Sequence, residues 1–314
     1  MSATTPIAAP GSGSGYRPEA GLTERFLASK AFAVSVIVLA IIAAWYAFAV
    51  HMNTQWQIDI YNRGNVEWTT TDLVRDTLNQ ARPVLPAPHQ VAVEIWNTTV
   101  MMDPTSRRSL IYHAWITLSA TLLGFVIGTL LGVSLAVGIV HSRAMDKSVM
   151  PWVIASQTIP ILAIAPMIIV VLNAIGITGL LPKALISTYL AFFPVAVGMV
   201  KGLRSPELLQ LDLLRTYSAS RWQAFWKLRW PSSVPFLFTS MKVAIAISLV
   251  GAIVGELPTG AVAGLGARLL AGSYYGQTVQ IWSALFVAAA MAAVLVALVG
   301  LVQRIVLKRM GQAA

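Results

Sequence analysis

Side chains that commonly carry out chemistry are sparse in this sequence. It contains no cysteine, which excludes disulfides, thiol catalysis and thiolate metal sites. No Gly-x-x-x-x-Gly-Lys-[Ser/Thr] pattern occurs, so a process that uses energy would have to draw it from a partner or from an ion gradient. The four histidines are scattered without ligand spacing, which argues against a metal site: His51, His89, His113 and His141.

Two charged residues are associated with one apolar stretch, residues 235–255, one inside it and one directly after it. Lys242 lies about seven residues inside it, roughly 10 Å deep at 1.5 Å per residue. Its ammonium group either snorkels to the nearer interface or faces inward as a counter-charge for an anion or a gate. Glu256 follows the far end of the stretch, where it is either a solvated end charge or part of a gate or of a contact with a receptor.

Another apolar stretch, residues 150–172, which is the third along the chain, contains prolines. Pro160 and Pro166 are expected to break or kink the helix and to free backbone carbonyls. Such breaks often border a translocation path, although packing kinks explain them equally well. The polar side chains nearest the breaks are candidates for lining a path: Gln157, Thr158 and Asn173.

The elements that must position these residues are membrane spans. Hydrophobic residues make up 57% of the 314 positions and charged residues only 11%, against about 25% in an average soluble domain. Crossing a bilayer takes about 20 apolar residues. Six stretches meet this need and predict an all-α membrane protein: residues 31–50, 115–140, 150–172, 181–200, 235–255 and 282–301.

The distribution of positive charge predicts the orientation of the chain. Of the 22 Lys and Arg residues, 14 lie on the side that holds both termini and seven on the other side, although the second group includes the longest loop. Both termini are therefore expected in the cytoplasm. A net charge of +10 would suggest nucleic acid in a soluble protein, but its placement here indicates a membrane protein without such a partner.

The chain divides into a tail and one domain. Residues 1–30, rich in Gly, Ser, Pro and Ala, are expected to form a flexible cytoplasmic tail. Residues 31–314 form the six-span domain. It includes a long polar periplasmic loop at 51–113, with an ordered turn at 84–88 and a short helix at about 89–97. The stripe of Gly124, Gly128 and Gly132 predicts close helix packing.

The fourth loop, residues 201–235, carries six of the basic residues and predicts two short helices, 206–217 and 220–230. Ser220 is a candidate N-cap of the second helix, and Pro231 is expected to end that helix. Without further information, the segment could equally be an amphipathic hairpin lying on anionic lipid.

This loop resembles the "EAA" loop of ABC importer permeases, whose pattern runs Glu-Ala-Ala, three residues, Gly, nine residues, Ile-x-Leu-Pro. Asp212 stands at the Glu, Ser218 at the Gly, and Pro231 closes the pattern in register. The spacing matches throughout, although several identities differ. Segments around 159–166, 192–194 and 256–266 resemble the branch that serves nitrate, taurine and aliphatic sulfonates, and the resemblance covers about residues 110–306.

The resemblance implies a type I ABC importer transmembrane domain whose loop contains a coupling helix seated in a groove of a cytoplasmic ATPase. Exposed Tyr217, Trp222 and Phe225 would anchor it. The residues expected to couple to the ATPase are Asp212, Thr216, Tyr217, Ser218, Ala219, Ser220, Arg221 and Pro231.

The resemblance also implies an assembly in the bacterial inner membrane. It comprises a homodimer of permeases, two ATPase subunits that hydrolyse ATP, and a periplasmic substrate-binding protein; the permease itself is not an enzyme and needs no cofactor. The expected cargo is a small polar solute such as nitrate, taurine or a sulfonate, with a pyrimidine or a related nitrogenous nutrient as the alternative. A gradient-driven transporter or a membrane enzyme fits less well, since no inverted repeat and no polar catalytic cluster is visible.

Overall fold

The computed structural model describes residues 30–258 and 263–311, and within them it contains helices and no β-strand. The predicted tail, residues 1–30, lies outside the described residues apart from Lys30. The helices are α1 (Lys30–Gly64), α2 (Thr70–Leu78), α3 (Pro88–Thr99), α4 (Leu110–His141), α5 (Arg143–Ala155), α6 (Ile161–Ala174), α7 (Leu180–Leu203), α8 (Leu208–Thr216), α9 (Arg221–Val254), α10 (Leu265–Tyr274) and α11 (Thr278–Arg309).

Five of these helices are long and apolar enough to cross a membrane: α1, α4, α7, α9 and α11. The third predicted span, residues 150–172, corresponds to α5 and α6, which are joined by a bend of 100° and make one span only if the pair is counted together. The all-helical membrane fold predicted from composition is thereby confirmed. Each continuous span is longer than its apolar stretch because polar residues extend the helices beyond it.

The packing of α4 against α7 depends on the predicted glycine stripe. A Cβ atom on Gly128 would lie 2.7 Å from the Cβ of Ala191, and one on Gly132 would lie 2.7 Å from the carbonyl oxygen of Phe192. Gly124 meets the side chain of Ser187 in the same way. The two backbones can approach this closely only because the three glycines have no side chain, which confirms the packing role predicted for the stripe.

The main apolar core joins four spans. It lies where α4, α7, α9 and α11 meet and continues towards the end of the molecule where α8 lies. Its buried residues include Phe125, Ile139, Val195, Met199, Leu203, Phe225, Ile245 and Leu295. The segment that follows α8 is therefore anchored to the rest of the protein through buried Phe225.

The loop after the first span is more helical than predicted, since α1 continues through its polar half to Gly64. Buried Asn53 explains this extension, because its side-chain oxygen accepts hydrogen bonds from the backbone N–H groups of Val84 (2.8 Å) and Leu85 (3.2 Å). These bonds hold the predicted turn at 84–88 against α1, and the predicted short helix follows as α3.

Candidate functional site

The hairpin between α7 and α9, residues 208–224, consists of α8, a tight turn and the first turn of α9. The turn depends on Ser218, whose φ of +53° lies in the left-handed region that favours glycine. The N–H of Ser218 donates to the carbonyl of Arg215 (2.8 Å), and the N–H of Ala219 donates to that of Leu214 (3.0 Å). This is a Schellman motif, which ends α8 and reverses the chain.

The second helix of the hairpin begins with a capping box. The backbone N–H of Gln223 donates to the hydroxyl of Ser220 (3.2 Å), and the backbone N–H of Ser220 donates to the side-chain oxygen of Gln223 (2.8 Å). The predicted N-cap is confirmed. A Schellman motif followed directly by a capping box leaves few free backbone groups in the turn, so the reversal is well defined.

The prediction that Pro231 ends the second helix is wrong. The helix continues as α9 through Val254, and a π-helical segment, Phe225–Arg229, is separated from the proline only by Trp230. A proline ring normally clashes with the carbonyl four residues earlier and has no N–H to offer it. The wider π turn, in which the N–H of Trp230 donates to the carbonyl of Phe225, accommodates that defect without a break.

The aromatic side chains of the hairpin divide into exposed and buried groups. Tyr217 is 77% exposed and Trp222 is 66% exposed, so both agree with the exposure predicted for them, and their role as anchors stays a prediction. Phe225 is only 4% exposed, so the expectation that it is an exposed anchor is wrong. Its ring packs edge-on against His141 of α4 at 5.1 Å and near Trp230 at 6.0 Å, which attaches the hairpin to the core.

The charged and polar candidates of the hairpin lie at its surface. Asp212 forms an exposed ion pair with Arg215 (2.8 Å), and the hydroxyl of Thr216 donates to the backbone carbonyl of Asp212 (3.0 Å). Seven of the eight predicted coupling residues lie on this one hairpin, whereas Pro231 lies further along α9: Asp212, Thr216, Tyr217, Ser218, Ala219, Ser220 and Arg221.

The predicted break in the third span occurs before Pro160. A 3₁₀ turn over Ser156–Thr158 separates α5 from α6, and the hydroxyl of Tyr189 in α7 donates to the carbonyl of Ser156. Gln157 and Thr158 are exposed at this bend. Pro166, by contrast, lies inside a continuous α6.

Asn173 is also exposed, in the last turn of α6 and therefore roughly 20 Å along the helix from the bend at 1.5 Å per residue. The structure thus brings Gln157, Thr158 and Pro160 together at one end of α6 and leaves Asn173 at the other.

Glu256, just past the end of α9, is completely buried, so the interpretation as a solvated end charge is wrong. Its carboxylate accepts hydrogen bonds from the Thr117 hydroxyl (2.9 Å) and the Gly266 N–H (2.9 Å), and it forms an ion pair with Lys183 at 3.6 Å. Burial raises the pKa of Glu256 to about 7, while the charge of Lys183 acts in the opposite direction.

Three further residues around Glu256 were not predicted from the sequence: Thr117, His113 and Lys183. Thr117 and His113, one turn apart on α4, accept hydrogen bonds from the N–H groups of Leu265 (2.9 Å) and Gly264 (3.0 Å). Lys183, in the first turn of α7, also donates to the carbonyl of Ala263 (2.9 Å). We call this network, which ties the start of α10 to α4 and α7, the Glu256 cluster.

Lys242 is half-buried in the middle of α9 and lies on the side that faces α11. Its Nζ is 3.8 Å from the position that a Cβ on Gly300 would occupy, and it forms no ion pair within the described residues. This position agrees with both interpretations, a snorkelling cation and an inward-facing one.

The sequence profile of a protein family described as "Binding-protein-dependent transport system inner membrane component" matches residues 128–312. The chain belongs to this family. The matched range contains the glycine stripe from Gly128 onwards, the bend at Pro160, the hairpin and the carboxylate of Glu256.

Individual relatives of this permease cover most of the same region. The chain is 31% identical to the riboflavin transport system permease protein of Chloroflexus aurantiacus, over 72% of this chain and 80% of the relative. It is 30% identical to the formylaminopyrimidine transport permease protein of Halalkalibacterium halodurans, over 58% and 68%. It is 25% identical to the nitrate import permease protein of Leptolyngbya laminosa, over 56% and 62%.

Family membership and the apolar helices identify the chain as a multi-pass inner-membrane permease of an ABC importer. The resemblance drawn from Asp212, Ser218 and Pro231 is thereby confirmed at the level of the family.

Proposed function

We propose that the hairpin at residues 208–224 is the surface through which this permease engages a cytoplasmic ATPase. One observation carries the proposal: Ser218, at the glycine position of the "EAA" pattern, adopts the left-handed conformation that glycine favours. Tyr217 and Trp222 beside it expose large side chains that fit the needs of a docking anchor.

Continuity of α9 explains how the hairpin would act on the transport path. The helix begins in the hairpin at Arg221 and ends at Val254, two residues before Glu256. Its 34 residues make a rod about 50 Å long. Movement of the ATPase would displace the hairpin, and the rod would carry that displacement to the Glu256 cluster at the opposite end, switching the permease between inward-open and outward-open states.

The proposed assembly contains two copies of the permease. In one copy α6 exposes Leu162, Met167 and Val170 together with the polar path candidate Asn173, and the turn before α6 exposes Gln157. A path bordered by those polar residues needs a second wall, which a second copy of the same chain would supply. Two cytoplasmic ATPase subunits, a periplasmic binding protein and cytoplasmic termini complete the arrangement, and ATP hydrolysis belongs to the ATPase subunits.

The proposed cargo is a small polar solute, with the binding protein setting its identity. Import of nitrate, taurine or a sulfonate agrees with the resemblance of the loop and with the relative that imports nitrate. The relatives named for formylaminopyrimidine and riboflavin, at 30% and 31% identity, favour a nitrogenous heterocycle as the second candidate. Binding assays with both classes, on the partner binding protein, decide between them.

The experiment that tests the coupling role compares two substitutions to arginine in proteoliposomes, one in the hairpin and one as a control. Ala219→Arg places a long charged side chain in the turn of the hairpin, whereas Ser148→Arg places one on the exposed surface of α5. We expect the first to abolish ATP-driven uptake and to uncouple ATPase activity while the protein still inserts, and the second to leave both unchanged. Normal uptake by Ala219→Arg would overturn the proposal.

A further inference from the structure

A cavity of about 750 Å³ lies behind the hairpin, between it and the body of the permease. Its walls come from the end of α4, the start of α5, the end of α7, α8 and the start of α9. The volume falls within the range of small-molecule sites, about 300–1,000 Å³. The exposed aromatic residues Tyr217 and Trp222 do not line this space.

The cavity is strongly cationic, and every Lys or Arg residue that lines it is an arginine. These residues are Arg143, Arg204, Arg215, Arg221 and Arg229, and Asp146 is the only acidic residue of the lining. Since arginine presents a planar fork of N–H donors, a set of arginines favours groups with several acceptor oxygens, above all phosphate.

The hydrogen bonds and ion pairs of these arginines leave part of the charge free. Arg204 pairs with Asp146 (2.9 Å), and Arg229 donates to the backbone carbonyl of Leu203 (3.3 Å). Arg215 pairs with Asp212 (2.8 Å). Within the described residues, by contrast, the side chains of Arg143 and Arg221 form neither an ion pair nor a hydrogen bond. Several positive charges that share one concave space repel each other, so an anion that neutralises them stabilises the arrangement.

The two unpaired arginines belong to different parts of the molecule. Arg143 is the first residue of α5, in the body, whereas Arg221 is the first residue of α9, in the hairpin. Leu211, Leu214 and Val140 add an apolar part to the same wall. We propose that this cavity binds a phosphate-bearing anion, which bridges Arg143 to Arg221 and restrains the hairpin against the body.

Two sources can supply this chemistry. One is the head group of an anionic phospholipid from the adjacent leaflet, whose acyl chains would follow the apolar wall. The other is a soluble phosphate compound. Either one ties the hairpin to α5, and the ligand therefore sets how freely the hairpin responds to its partner.

Hydrogen–deuterium exchange of the hairpin, residues 208–224, measures this restraint on the full-length permease in nanodiscs. One arm uses phosphatidylcholine discs and adds pyrophosphate. The other uses discs with an increasing fraction of phosphatidylglycerol and no added phosphate. We expect exchange to slow at least fivefold in one arm, and the arm that responds identifies the source.

Matched variants separate a site from general charge attraction. The double variant Arg143→Gln/Arg221→Gln should need at least a tenfold higher ligand level for half of the effect, because it loses two charge-assisted contacts. Lys227→Gln removes an exposed positive charge that does not line the cavity and should leave the response within about twofold. The proposal is overturned if neither arm slows exchange, if the double variant responds as the native chain does, or if Lys227→Gln loses the response equally.

Discussion

Two helical glycines in different surroundings, Gly132 between α4 and α7 and Gly300 of α11 facing α9, should respond to alanine in opposite directions. At Gly132 an added Cβ would lie 2.7 Å from the Phe192 carbonyl oxygen, 2.8 Å from the Val195 Cβ and 2.9 Å from the Ala196 nitrogen. Two of these neighbours are backbone atoms, which cannot rotate away. At Gly300 the nearest neighbours of an added Cβ are the flexible end of Lys242, at 3.5 and 3.8 Å.

The magnitudes follow from these contacts. Ordinary contacts of a Cβ begin at about 3.4 Å, so Gly132→Ala must move α7 away from α4 by roughly half an ångström, and overpacking of this kind costs about 1–3 kcal/mol. Replacing a helical glycine by alanine also contributes about 1 kcal/mol of stability. We expect a net loss of up to about 2 kcal/mol for Gly132→Ala and a gain of up to about 1 kcal/mol for Gly300→Ala.

Denaturant-induced unfolding of the purified permease, followed by the loss of helical circular dichroism, measures both variants under identical conditions. Gly132→Leu extends the series, since a larger side chain at the same position should lower the free energy of unfolding further. The steric argument fails if Gly132→Leu is as stable as the native chain, or if both alanine variants shift the free energy of unfolding in the same direction.

Two further predictions concern the hairpin turn and the Glu256 cluster. Ser218→Gly removes the cost of a left-handed residue, about 1–2 kcal/mol, although the greater flexibility of glycine offsets part of this gain. This variant should slow hydrogen exchange in the turn, whereas Ala219→Gly should speed it. Equal responses of the two variants would contradict the assigned geometry. Because burial raises the pKa of Glu256 from 4.5 to about 7, its contribution to stability is complete below about pH 4.5 and is lost as the pH rises to about 7. The native protein should therefore lose about 3 kcal/mol of its free energy of unfolding between those pH values. Glu256→Gln should not show this loss, whereas the exposed control Glu67→Gln should show it as the native protein does. A native pH profile in Glu256→Gln would refute the assignment.

Features that depend on local sequence were predictable. Hydropathy predicted the spans, the stripe of Gly124, Gly128 and Gly132 predicted a close helix contact, and the type of residue at position 220 predicted an N-cap. Each depends on residues within a few turns of one another, where propensity and periodicity apply.

Two features of the site were not predictable from the sequence. The sequence around Pro231 favours a helix end, but the π segment before it absorbs the proline and α9 continues. The position of Glu256 at the end of a span favours a solvated charge. In the structure, however, it is enclosed by Lys183 of α7 and by Thr117, which is 139 residues away in sequence. Such burial arises from tertiary contacts that no local pattern encodes.

The central claim, that the hairpin contacts an ATPase, can be tested directly because the chain contains no cysteine. A single cysteine is introduced at Tyr217 in the hairpin or, as the control, at Met101, which is 71% exposed in the segment between α3 and α4. Each variant is then treated with a bifunctional thiol reagent in membranes that contain the complete transporter. The account predicts a cross-link between Tyr217→Cys and the ATPase subunit and none from Met101→Cys. A cross-link from Met101→Cys alone, or from neither variant in an assembled and active complex, would contradict it.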